Sequence, residues 1–134
     1  MSFKIIFPVL IPLFVMAFWV YASNPWLGKT LSADQVKQRW GQDGFDPTKF
    51  RDGDQNLRAR MAFSLITSEK MIGLSVSEVR EKLGKFDGHY FSESFPTYLI
   101  QTANKKGEES WQIVFLIDAE KKTKEIIVHK NCCD

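Results

Sequence analysis

The chain has 134 residues, of which 44% are hydrophobic and 25% charged, with a formal net charge of +2. Acidic and basic residues are interspersed and no basic stripe runs along the sequence, which excludes the electrostatic footprint of a nucleic-acid binder. The two cysteines, Cys132 and Cys133, are adjacent near the end, so no disulfide can staple distant core elements and no metal-ligand spacing is formed.

Residues 5 to 22 carry no charge and follow only Met1, Ser2, Phe3 and Lys4. As a helix this run would measure about 27 Å, close to the thickness of a bilayer core. Trp19, Tyr21 and Trp26 sit where an interfacial aromatic belt would lie, and Lys4 before the run favours an N-terminus on the cytoplasmic side. The expectation is a single-pass inner-membrane anchor over 1–22 with a periplasmic C-terminal domain. The alternative is a signal peptide cleaved near Ala22, leaving a soluble periplasmic protein.

Residues 23–53 read as a linker, a short helix and an aromatic segment. Ser32 with Gln35 three residues on forms a capping box, Val36 and Trp40 share a face, and Gly41 ends the helix. The turn-rich stretch that follows places Trp40, Phe45 and Phe50 either as a lid on the core or as an exposed docking site.

From residue 54 the pattern is that of a folded domain extending to 134. Asp54 is positioned to cap a helix over 55–67 whose apolar stripe is Leu57, Met61, Ala62, Leu65 and Ile66. The sharpest local signature follows: Ser75 as N-cap with Glu78 at N3, a Leu74 to Val79 staple, and Gly84 as terminator. Beyond Gly84 the apolar period becomes two, which predicts strands over 88–92, 97–102, 111–117 and 125–130. Their short connections require antiparallel pairing. The predicted fold class is therefore α+β: an N-terminal transmembrane helix, then two helices packed on a three- or four-stranded antiparallel sheet.

The IGLSVSEVREKLG segment from Ile72 to Gly84, with Tyr98 and Phe115 on later strands, resembles the SmpA/OmlA or BamE-like small periplasmic domains. Those domains are related in fold to the repeats of beta-lactamase inhibitor proteins. The resemblance covers about 54–130. It implies two helices on an antiparallel sheet, a bacterial envelope location and protein binding in place of catalysis. The lipobox cysteine is missing, and the segment from Trp40 to Phe50 is extra.

His89 and His129, the only histidines, are forty residues apart, and no nucleophile is paired with an obvious base. The sequence thus predicts no catalytic residue, metal ligand, cofactor or small-molecule substrate. It predicts a membrane-tethered periplasmic protein-binding domain, an accessory or assembly subunit whose partner is a bacterial envelope membrane protein or complex. An inhibitor or immunity protein is the alternative, and a small hydrolase a further one. If one sheet face is open, its candidate binding residues are Tyr90, Tyr98, Ile100 and Trp111, joined by Trp40, Phe45 and Phe50.

Overall fold

The computed structural model describes residues 29–88 and 95–130. Strand β1 (Thr30–Leu31) leads into helices α1 (Ala33–Trp40), α2 (Pro47–Asp52), α3 (Gln55–Thr67) and α4 (Val76–Leu83), followed by strands β2 (Thr97–Gln101), β3 (Trp111–Ile117) and β4 (Thr123–Lys130). The four strands form one antiparallel sheet in the order β1-β4-β3-β2.

The helix starts follow from side chains that satisfy free amides. Ser32 Oγ accepts from Gln35 N while Gln35 Oε1 accepts from Ser32 N, completing the capping box. Asp54 caps α3 through Leu57 N, and Ser75 caps α4 through Glu78 N. The Ser75 hydroxyl also donates to Glu78 Oε1. Gly84 terminates α4 at φ 89°, donating its N–H to the Arg80 carbonyl. Helix α2 was not anticipated, although its signal is present: Asp46 accepts from Thr48 N and Lys49 N, and Pro47 occupies the first turn, where its missing donor costs nothing.

Three corrections to the sequence reading follow. First, four helices are present among the described residues, because α1 and α2 pack with the pair that was expected. Second, the fourth strand is β1, which places Thr30 against His129 and Leu31 against Val128; of the strand expected over 88–92, only Gly88 is described, and it is not in a strand. Third, among the described residues no helix is long and apolar enough to cross a membrane. The longest, α3, has 13 residues and spans about 20 Å. The fold with a transmembrane helix, the inner-membrane placement and the membrane-tethered accessory role built on it are therefore corrected. The apolar run 5–22 on which they rested lies outside the described residues, as do Cys132 and Cys133.

The core lies between the helices and one face of the sheet. Val36 from α1, Phe50 from α2, Ala59, Met61, Ala62 and Leu65 from α3, and Val79 and Leu83 from α4 meet Leu31, Tyr98, Ile100, Trp111, Ile113, Phe115, Ile126 and Val128. The second face is not left open, contrary to the expected architecture: Thr97, Gln112, Val114 and His129 are buried there. Part of the cover is the chain itself at Gly88. A Cβ on Gly88 would fall 2.5 Å from Gln112 Oε1 and 2.6 Å from Thr97 Oγ1, so only glycine permits this approach.

Candidate binding groove

Trp111 is 1% exposed, Ile100 1%, and Tyr98 and Phe50 0%: all four side chains lie in the core between the helices and the sheet instead of on an outward surface. The parity of the sheet decides this. Tyr98 is opposite Ile113, which is opposite Val128, and that row faces the helices. Phe50 and Tyr98 meet edge to face at 5.4 Å, and Tyr98 meets Phe115 at 6.0 Å in the same way. Trp40 and Phe45 are partly buried against the same cluster, so the aromatic segment acts as the lid that was one of its two readings. Tyr90 lies outside the described residues.

A polar clasp fastens this lid. Arg58 on α3 is 11% exposed; its Nε donates to the Phe50 carbonyl at 3.2 Å and its Nη1 pairs with Asp87 Oδ2 at 2.8 Å. The guanidinium also lies over the Phe50 and Tyr98 rings, at 5.3 and 5.7 Å. Burial pushes the Tyr98 phenol far above its usual range, and its hydroxyl donates to the Gly84 carbonyl at 2.9 Å. These contacts join α2, α3, the end of α4 and β2.

His129 is buried on the second face, with Nδ1 2.7 Å from Thr30 Oγ1, and burial lowers its pKa. His89 lies outside the described residues. No group of three or more His, Cys, Asp or Glu capable of holding a metal is found among the described residues.

A groove of about 450 Å³ opens where the start of α3 meets the end of β2, lined by Asp54, Gln55, Asn56, Gln101, Thr102 and Asn104. Its amides are positioned by hydrogen bonds. The Trp40 indole donates to Gln101 Oε1 at 3.0 Å, and the Thr102 hydroxyl donates to Gln55 Oε1 at 2.9 Å. Trp40 is in turn set edge-on against buried Trp111, with centroids 6.4 Å apart. Apart from Asp54 the lining is uncharged, and Oδ1 of that carboxylate is occupied in capping α3.

Sequence reasoning read Asp54 as a cap, Gln55 as a helix start, and Gln101 and Thr102 as strand residues, and singled out none of the six as a site. Amides in loops and first turns are ordinary surface residues, and Gln55 and Thr102 are separated by 47 positions. Only the packing of α3 on β2 brings them together.

In comparisons with known proteins, no family model, no curated protein and no solved structure matches the chain.

Proposed function

We propose that this domain is a protein-binding module of the inhibitor or immunity type, which works by occupying the surface of another protein. The observation that carries the reading is the run α3, α4, β2, β3, β4: a capped helix pair followed by three successive antiparallel strands. That is the order expected from the resemblance of 72–84 to domains related to inhibitor repeats, and here it supports a rigid sheet with a solvent-facing groove at one edge. A rigid scaffold of this kind presents a surface without the ordering cost that weakens flexible binders.

The test is functional. The tagged full chain, expressed in its native host and crosslinked there, should retain one protein in fixed stoichiometry. That protein's own activity should fall as purified chain is added. Failure to recover a partner, or a recovered partner whose activity is unchanged at saturating chain, would refute the inhibitor reading.

A further inference from the structure

We infer that the groove between α3 and β2 binds an extended, uncharged stretch of a partner protein, receiving its main-chain carbonyls on the amide groups of Gln55 and Gln101. The inference rests on the protein-binding reading above and assigns it a site.

The orientation of Gln101 comes from Trp40. An indole nitrogen can only donate, so the atom 3.0 Å from it on Gln101 is the carbonyl oxygen. The other end of the amide, its NH₂, is then a donor. At Gln55 the Thr102 hydroxyl donates to the side-chain oxygen, which leaves the NH₂ as the remaining donor. Neither NH₂ has a partner among the described residues, and both side chains line the groove. The site therefore favours a ligand rich in acceptors.

Charge narrows the ligand class. No lysine or arginine lines the groove, and Asp54 adds a negative charge at the start of α3, which disfavours anions. A cation would find one carboxylate that already accepts from Leu57 N. Neutral carbonyls fit both conditions.

The sheet edge selects a polypeptide. β2 is an outermost strand, and along its first half the outer edge is closed: the Thr97 carbonyl accepts from Asp87 N and Gly88 N, and Leu99 N donates to Asp87 Oδ1. Beyond Leu99 no described strand pairs with that edge, which runs directly into Gln101 and the groove. An extended segment offers carbonyls at regular intervals to a strand edge and to side-chain donors beside it. Trp40 is a positioning residue in this scheme, since it touches Gln101 and not the ligand.

Random twelve-residue peptides displayed on phage would be panned against the immobilised full chain. Recovered sequences would be resynthesised and titrated while the Gln55 and Gln101 side-chain NH₂ signals are followed by NMR. Peptides with an uncharged centre should shift both signals, and affinity should fall roughly three- to tenfold in Gln101→Ala and in Gln55→Ala. Trp40→Phe should weaken binding too, because the freed amide can turn. Lys70→Ala, away from the groove, should bind as the parent does. No enriched peptide, or peptides indifferent to both glutamine substitutions, would overturn the assignment. So would inorganic phosphate or maltose shifting the two amides where peptides do not. Panning reads peptide capture alone, so its failure leaves the inhibitor reading to its own activity assay.

Discussion

Asp87 places one carboxylate oxygen 2.8 Å from Arg58 Nη1 and the other 2.9 Å from the Leu99 amide nitrogen. One side chain thereby neutralises a guanidinium that is 11% exposed and closes part of the outer edge of β2. Asp87→Ala should cost about 1 to 3 kcal/mol, since it leaves the Leu99 amide and a nearly buried guanidinium without their acceptor. Denaturant melts would measure the loss. A rise in self-association at high concentration, followed by light scattering, should accompany it as the strand edge opens.

Gly88 and Gly44 form a matched pair. A methyl group at Gly88 would meet Gln112 Oε1 at 2.5 Å and the Thr97 Cβ at 2.7 Å, whereas nothing lies within 4 Å of one at Gly44. Gly88→Ala should therefore lose about 1 to 3 kcal/mol from forced repacking. Gly44→Ala should be neutral or gain up to about 1 kcal/mol through a less flexible unfolded chain. Equal melting temperatures for the two variants would contradict the close approach at Gly88.

Phe50 tests whether the segment before α3 belongs to the core. It is fully buried and meets Phe45, Tyr98 and the Arg58 guanidinium. Phe50→Ala should destabilise the domain by about 3 to 5 kcal/mol, as for other large core truncations. A fall below about 1 kcal/mol, by thermal or chemical melting, would mean that α2 is only loosely attached.

Burial lowers the pKa of His129, so the folded protein binds this proton less readily than the unfolded chain does. Its contribution is fully present above the unfolded value of 6.5 and is lost as pH falls through that value toward the lower folded one. Melting temperature should therefore drop between pH 7 and pH 5 more steeply in the parent than in His129→Gln. Parallel curves would show that other groups account for the acid sensitivity.

Interactions that close within three or four residues were legible in the sequence alone. The caps at Ser32, Asp54 and Ser75 and the terminator at Gly84 were readable because each joins a side chain or a backbone turn to a neighbouring amide, and the structure has all of them. The cores of three strands were readable too, from their apolar residues and their period of two. Even so, the local Asp46-Pro47 signal of α2 was overlooked, hidden within a segment read as turns.

Tertiary structure decided which way the strands face. Alternation states that Tyr98 and Thr97 point to opposite sides, but only the packing of four helices determines that Tyr98, Ile100 and Trp111 are the set that faces the helices. It also recruited β1 to β4, where Thr30 and His129 are 99 positions apart, and it formed the groove from two polar segments that have no pattern in common. Such contacts depend on how much apolar surface each element buries and which partner covers it, quantities that belong to the assembled core and that no local stretch of chain encodes.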